Sequence, residues 1–243
     1  GNRDKVILAS KIAGPNPNFT YMREKDDFSP ASIKYALENS LKRLQTDYID
    51  LYQIHWPEST TPIQESMEAV AQLIKEGKVR HAGVCNYNVE QMKEADKYVN
   101  LVSNQVPYSM VKREIEQNVV PFSLENNKSI IAYSPLERGL LTGKMKPGHT
   151  FAEGDHRANL YFYKDENLKR TDAFLEKIRP LAAEKKASLS QLVLRWTIEQ
   201  PAITIALAGA RNAEQSIQNA KAVNVKLSPS EIDFITSELN KLE

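Results

Sequence analysis

The sequence predicts an α/β protein in which helices cover a parallel β-sheet. Short runs rich in β-branched and aromatic residues recur along the chain, and longer segments with helical apolar spacing separate them. Repeated β-then-α units are typical of parallel sheets, because each parallel strand is reached through a crossover connection. The chain has 243 residues, of which 41% are hydrophobic, so it can bury a sizeable core. We expect one domain over residues 1–243.

Six runs have the length and composition of strands. They are Lys5–Ser10, Tyr48–His55, Val79–Val84, Leu101–Val106, Ser129–Tyr133 and Ile203–Ala208. Between them, apolar residues recur three or four positions apart, as in Ile33, Leu37, Leu41 and Leu44, and again in Met67, Val70 and Ile74. The pattern therefore predicts strands and helices that alternate along the chain.

Several helix ends are marked by capping residues. Ser29 followed by Pro30 fits an N-cap with proline at the first helical position, where the missing N–H costs nothing. Residues 61–64 (TPIQ) and 228–231 (SPSE) both fit the capping box, with proline at the same position. Gly77 is expected to end the helix before it.

Charge and composition exclude several classes of partner. The net charge is +1 and 26% of residues are charged, which gives no electrostatic reason to expect nucleic acid or a membrane surface as a partner. The longest apolar runs are strand-sized, nothing near Gly1 resembles a signal peptide, and Cys85 is the single cysteine. We therefore expect a reducing, cytoplasmic setting. His81, His149 and His156 lack ligand spacing, so we expect surface positions for them and no metal site.

Two architectures compete, a doubly wound sheet and a (β/α)8 barrel. A doubly wound sheet favours a glycine-rich turn after the first strand, but residues 12–16 (IAGPN) do not match G-x-G-x-x-G. Residues 138–145 (RGLLTGKM) resemble a phosphate loop, yet they have one residue too few between the glycines and methionine where serine or threonine is required. We reject both nucleotide motifs and predict the barrel.

A barrel carries its active site at the C-terminal ends of its strands. The residues that end or follow the predicted strands are Lys11, His55, Cys85-Asn86, Gln105, Tyr133-Ser134 and Gly209-Ala210-Arg211. Strand ends meet solvent in any fold, but lysine and histidine on successive strands favour a convergent site. A closed barrel needs eight strands and only six are predicted. We therefore expect that the first two βα units of the barrel are absent from this chain.

These residues lie in segments that resemble the aldo-keto reductase family. Six segments between Arg3 and about Val223 match the family in order and spacing. They are RDKVILASK, SLKRLQTDYIDLYQIHWPE, EGKVRHAGVCNYNVEQM, SNQVPYSM, IAYSPLERGLLTGK and ALAGARNAEQSIQNAKAV. The resemblance is nearest to a bacterial branch of stress-response and oxidised-sugar reductases. It implies a (β/α)8 barrel that reduces aldehydes and ketones with NADPH, as a monomer or weak homo-oligomer.

The resemblance assigns Lys11 and His55 as the catalytic lysine and histidine. Hydride transfer to a carbonyl leaves negative charge on oxygen, which His55 would stabilise with a hydrogen bond. Lys11 would lower the pKa of a proton-donating tyrosine, and an aspartate would hold the lysine. Trp56 would form an apolar wall of the substrate pocket. The family's tyrosine and aspartate lie upstream of Gly1, so we expect half a catalytic tetrad here and no turnover by this chain.

The resemblance also assigns cofactor-binding residues. For the nicotinamide these are Cys85, Asn86, Gln105 and Tyr133; for the pyrophosphate loop and its lid, Ser134, Leu136, Gly139, Lys144 and Arg157; for the adenosine end, Gly209, Arg211, Gln215 and Asn219. Cys85 departs from the family's usual serine, and a thiol is a weaker hydrogen-bond partner. The polar stretch Lys144 to Arg170 fits a functional loop or lid. Arg211 near a helix start suits a 2′-phosphate, which favours NADPH over NADH.

Two other functions remain open from the sequence. One is a catalytically impaired, NADPH-binding regulatory or sensor protein of the same fold, although the histidine at position 55 argues for an enzyme. The other is a barrel aldolase in which Lys11 forms a Schiff base with the substrate. Trapping with borohydride would label Lys11 only in the aldolase.

Overall fold

The computed structural model describes residues 1–12 and 27–242. Within these residues the strands are β1 (Ala9–Ile12), β2 (Ile49–Ile54), β3 (Val79–Cys85), β4 (Leu101–Pro107), β5 (Ser129–Tyr133) and β6 (Ile203–Leu207). They form a six-stranded sheet in chain order, β1-β2-β3-β4-β5-β6. The first three pairings are parallel. The predicted α/β class is confirmed.

Helices separate the strands along the chain. They are α1 (Pro30–Leu44), α2 (Ile63–Lys75), α3 (Val89–Asp96), α4 (Val119–Glu125), α5 (Asp165–Glu184), α6 (Leu189–Glu199), α7 (Ala213–Ala220) and α8 (Pro229–Leu239). Short 3₁₀ helices cover Arg3–Lys5, Glu114–Gln117, Glu137–Thr142, His156–Asn159, Tyr161–Tyr163, Lys221–Asn224 and Asn240–Leu242. In the described residues, no helix is long and apolar enough to cross a membrane.

The chain divides into two compact units. The first unit comprises residues 1–106 and 115–131, and the second comprises residues 107–114 and 132–243. In the second unit the ring of Tyr108 stacks on that of the buried Trp196, with centroids 6.2 Å apart. The indole N–H of Trp196 donates to the Thr236 hydroxyl, which ties α6 to α8.

Strand register decides which side chains share a face of the first unit's sheet. Lys11 lies opposite Gln53, Gln53 opposite Gly83, and Cys85 opposite Gln105. Because side chains alternate along each strand and paired positions of parallel strands point the same way, these five positions share one face. That face therefore carries polar groups on successive strands.

The first strand was predicted in the wrong place. Residues 3–5 form a 3₁₀ helix and β1 begins at Ala9, so Lys11 lies within the strand rather than after it. Val6 and Ile7 are exposed despite their strand-like character. Pairing with β2 starts at Ala9 opposite Leu51, and the position of the neighbouring strand is not encoded in the local alternation.

Three of the predicted helix boundaries are confirmed and one is wrong. Ser29 and Ser228 cap α1 and α8, and Gly77, with φ +76°, follows the end of α2. At residues 61–64 there is no capping box, because Pro62 rather than Thr61 is the N-cap residue and its side chain has no acceptor. The Glu58 carboxylate accepts the backbone N–H of Thr61 in the preceding loop.

The stretch 144–170 is only partly a loop. It contains two 3₁₀ helices, and from Asp165 it belongs to α5. Tyr163 and Leu168 are buried in a cluster with Leu140. The three histidines expected at the surface, His81, His149 and His156, are exposed, as predicted.

Candidate active site

Lys11 and His55 come together at the carboxyl ends of adjacent strands. The backbone N–H of His55 donates to the carbonyl oxygen of Ile12 at 3.1 Å, which fixes the residue beside β1. Burial lowers the pKa of the His55 imidazole, and the positive charge of Lys11 lowers it further. The imidazole is therefore neutral near pH 7, with one ring nitrogen as donor and the other as acceptor.

Trp56 is half-buried beside the imidazole. The ring centroids of His55 and Trp56 are 5.9 Å apart, with the planes tilted by 30°. The indole Nε1 is buried, and no described residue accepts a hydrogen bond from it. Trp56 thus supplies both apolar surface and an N–H donor next to the histidine.

Cys85 is fully buried on the face that Lys11 shares. Its thiol lies 3.8 Å from Oε1 of Gln53, to which it donates a hydrogen bond. Burial raises the pKa of the thiol to about 12, against the opposing charge of Lys11. The group therefore stays protonated and acts as a donor at neutral pH.

Asn86 connects three strand ends. It lies directly after β3 with φ +61°, in the left-handed region that asparagine tolerates. Its backbone N–H donates to the Gln105 carbonyl oxygen at 2.9 Å, and its side-chain amide donates to the His55 carbonyl oxygen at 3.2 Å. The residues predicted at the ends of β2, β3 and β4 are thus hydrogen-bonded to one another.

Gln53 is a polar residue of this face that the sequence reasoning missed. It is fully buried, and its amide Nε2 donates to Oε1 of Gln105 at 3.4 Å. A signal was available, since Gln53 interrupts an apolar strand two positions before His55 and alternation places both on one face. It was passed over because glutamine within a strand has no motif of its own.

In the second unit, Tyr133 ends β5 and leads into a turn with unusual backbone angles. Ser134, Glu137 and Arg138 have φ values of +57°, +41° and +51°, and Gly139 has φ +102°. Non-glycine residues in this region cost roughly 1–2 kcal/mol each, and such strain is concentrated at functional sites. The Leu136 carbonyl oxygen accepts hydrogen bonds from the N–H groups of Gly139 and Leu141.

The strained turn is held by a buried side chain. The hydroxyl of Tyr163 donates to the carbonyl oxygen of Glu137 at 2.6 Å. Burial raises the pKa of the Glu137 carboxyl, although the charges of Lys112 and Arg138 oppose the shift. Sequence reasoning passed over Glu137, because nothing local shows that this glutamate points inward.

Lys144 and Arg157 differ in their surroundings. Lys144 is exposed, whereas Arg157 forms an ion pair with Asp155 at 2.6 Å and donates to the Arg138 carbonyl oxygen. The Arg157 guanidinium lowers the pKa of the Asp155 carboxyl through hydrogen bonds. Arg157 therefore ties residues 155–157 to the strained turn.

The four residues predicted for the adenosine end are neighbours around the start of α7. Oε1 of Gln215 accepts the backbone N–H of Arg211 at 2.7 Å. The Asn219 side chain donates to the carbonyl oxygen of Gly209 at 3.1 Å. The guanidinium of Arg211 is exposed just before the helix, where backbone N–H groups and the helix dipole favour an anion.

The chain belongs to the aldo/keto reductase family. Residues 1–240 match the description "Aldo/keto reductase family", so the fold is the α/β fold of that family. The glycerol dehydrogenase AKR11B4 from Gluconobacter oxydans superposes with a TM-score of 0.89 at 33% identity, and the match covers 98% of this chain and 73% of that one.

Two curated relatives support the assignment to this family. Aldo-keto reductase YhdN of Bacillus subtilis (strain 168) is 40% identical over 216 residues, which is 88% of this chain. The NADH-specific methylglyoxal reductase of Escherichia coli (strain K12) is 34% identical over 220 residues, or 89% of this chain. The chain spans 64% and 67% of the lengths of these two relatives.

Proposed function

We propose that the protein reduces aldehydes or ketones to alcohols with a nicotinamide dinucleotide, and that NADPH is the cofactor. The observation that carries the proposal is that Lys11 and His55 lie at the carboxyl ends of neighbouring strands, where the backbone N–H of His55 donates to the carbonyl oxygen of Ile12, the residue after Lys11. Membership of the aldo/keto reductase family supports the reaction class. The bound reduced nicotinamide would supply the hydride, and a proton donor outside the described residues would protonate the alkoxide oxygen.

His55 orients the carbonyl group and Lys11 adds positive charge beside it. A neutral imidazole donates one hydrogen bond to the carbonyl oxygen without giving up its proton. Negative charge grows on that oxygen as the carbonyl is reduced, and preplaced donors stabilise it most in a site that excludes water. Trp56 contributes an apolar wall, as its half-buried position allows.

The described residues fit the cofactor in each unit separately. In the first unit, Asn86 and Gln105 provide side-chain amides that match the carboxamide of nicotinamide. In the second unit, Arg211 provides an exposed guanidinium at a helix start, which suits the 2′-phosphate that distinguishes NADPH from NADH. Since the E. coli relative is named as NADH-specific, both cofactors belong in the test.

The test measures loss of dihydronicotinamide absorbance with NADPH and with NADH, using methylglyoxal and other small aldehydes as substrates. Lys11→Met and His55→Asn should each lower kcat/KM by about 10²–10⁴-fold, whereas Lys5→Met, at an exposed lysine of the same segment, should have no effect. Arg211→Ala should raise KM for NADPH and leave KM for NADH unchanged. Turnover by this chain would show that the expectation of an inactive half tetrad is wrong. Absence of reduction with both cofactors, or full activity of His55→Asn, would contradict the proposal.

We further propose a reducing, cytoplasmic setting and a monomer or weak homo-oligomer. The single cysteine supports the setting, because it is buried and unpaired rather than placed to form a disulfide. Sedimentation of the purified protein at micromolar concentration tests the oligomeric state, and a stable tetramer would contradict it.

A further inference from the structure

We propose that Gln53 is a positioning residue that orients the side-chain amide of Gln105 toward the nicotinamide carboxamide. The inference rests on the proposed function, because it requires Gln105 to contact a bound nicotinamide. It assigns a role to a fully buried residue of β2.

A chain of hydrogen bonds connects three buried residues of neighbouring strands. The Cys85 thiol donates to Oε1 of Gln53 at 3.8 Å, and Nε2 of Gln53 donates to Oε1 of Gln105 at 3.4 Å. Cys85 and Gln53 are fully buried, and Gln105 is 8% exposed. The side-chain amide oxygens of Gln53 and Gln105 therefore each accept a hydrogen bond from a neighbouring side chain.

The hydrogen bonds between these three side chains all run in one direction. The Cys85 thiol is the donor in its contact with Oε1 of Gln53, and its raised pKa keeps it protonated at neutral pH. Gln53 thus points its oxygen at Cys85 and its NH₂ group at Gln105. In turn, Gln105 turns Oε1 toward Gln53 and directs its NH₂ group away from it.

Packing prevents Gln53 from turning away. A Cβ atom on Gly83 would lie 3.0 Å from Cγ of Gln53 and 2.8 Å from Oγ of Ser103, so glycine is needed for the close approach. The stem of Gln53 is thus enclosed between β1 and β3, its pairing partners. An enclosed side chain holds its amide in place with little loss of entropy on binding.

The orientation of the Gln105 amide determines which group of the nicotinamide carboxamide it contacts. With its oxygen turned toward Gln53, Gln105 donates through Nε2 to the carbonyl oxygen of the carboxamide. The 3-acetylpyridine analogue of NADPH keeps that oxygen and replaces the NH₂ group by a methyl group. Both dinucleotides should therefore depend equally on Gln53.

Dissociation constants measured by calorimetry test the inference. Gln53→Met, which preserves volume, should weaken NADPH and the 3-acetylpyridine analogue by about tenfold each, and leave binding of 2′,5′-ADP unchanged because that fragment lacks nicotinamide. Ser103→Ala is the matched control in the same interior layer, since its hydroxyl is buried with no hydrogen-bond partner among the described residues. It should change none of the three constants.

Two further comparisons separate positioning from a general loss of structure. In a Gln105→Met background, Gln53→Met should have no additional effect on NADPH affinity, because the amide it orients is gone. Cys85→Ala should weaken NADPH by about threefold, whereas Cys85→Ser, which keeps a donor and forms stronger hydrogen bonds than a thiol, should bind NADPH at least as tightly as the wild type. If Gln53→Met fails to fold, the two Cys85 variants still test the inference.

The outcomes distinguish the inference from the proposed function. If the wild-type protein binds neither NADPH nor NADH, the proposed function is wrong and the inference falls with it. Suppose instead that the wild type binds NADPH or NADH. If Gln53→Met then weakens the binding of 2′,5′-ADP as much as that of NADPH, or leaves the affinity for the 3-acetylpyridine analogue unchanged, only the inference is wrong.

Discussion

The side chain of Asn86 donates a hydrogen bond to the backbone carbonyl oxygen of His55 at 3.2 Å, so the loop after β3 holds the residue that follows β2. The backbone N–H of Asn86 donates in the other direction, to Gln105 at the end of β4. One residue thereby fixes the relative positions of an imidazole and an amide that belong to the proposed site.

Asn86→Gly and Asn86→Ala should differ in stability. Both remove the hydrogen bond to His55, at a cost of about 1 kcal/mol. Alanine must also adopt φ +61°, which costs a further ~1 kcal/mol or more, whereas glycine adopts it freely. In urea denaturation, the free energy of unfolding should therefore be highest for the wild type, lower for Asn86→Gly and lowest for Asn86→Ala. Equal values for the two variants would contradict the role of the left-handed backbone.

The pKa of His55 should depend on Lys11. Burial is the main cause of its lowered pKa and the lysine charge the second, so Lys11→Met should raise the pKa only part of the way toward its ordinary value. NMR titration of the imidazole measures this. The variant Lys5→Met removes the same charge from an exposed position and should leave the His55 pKa as in the wild type. An unchanged pKa in Lys11→Met would show that the two side chains do not interact.

A cluster around Asp50 should stabilise the first unit. Its carboxylate is nearly buried and forms ion pairs with Arg3 at 2.7 Å and Arg80 at 2.9 Å. Both guanidinium groups also lie over the ring of Tyr48, at 3.8 and 4.0 Å from its centroid. Asp50→Asn should lower the free energy of unfolding by about 2 kcal/mol at pH 7, and Asp47→Asn, at a nearby exposed aspartate, should not.

The effect of Asp50 should vanish in acid. Burial raises the pKa of the carboxyl, but hydrogen bonds from Leu8 and Arg3 and the two arginine charges outweigh it, so the pKa lies below its ordinary value. A lowered folded-state pKa contributes stability above the unfolded value, and that stability is lost as the pH falls through the folded value. The difference between wild type and Asp50→Asn should therefore shrink below about pH 4. A difference that stays constant with pH would argue against ionisation as its source.

Tyr163→Phe should loosen the strained turn after β5. The change removes the hydroxyl that donates to the Glu137 carbonyl oxygen and should cost about 1 kcal/mol in unfolding experiments. It should also speed proteolytic cleavage within residues 134–139, because the positive φ values there persist only while surrounding contacts hold them. Tyr161→Phe is the control, since that side chain is 63% exposed. Equal cleavage rates in the two variants would contradict this role.

The alternation of strands and helices was readable from the sequence because apolar periodicity reflects which side of an element is buried. β2 to β6 lie within one or two residues of their predicted bounds, and the serine caps of α1 and α8 are confirmed, since capping is a local interaction. The start of β1 was mispredicted because pairing with a distant strand determines it.

The sequence by itself determined the family, the α/β class and the candidate residues at the strand ends, since motifs and periodicity are properties of the chain order. Only the tertiary structure decided that Gln53 faces Gln105 and Cys85, that Asn86 holds His55, and that Glu137 is buried. These contacts join residues up to 52 positions apart in sequence. Their partners are chosen by strand register and packing, which no local pattern encodes.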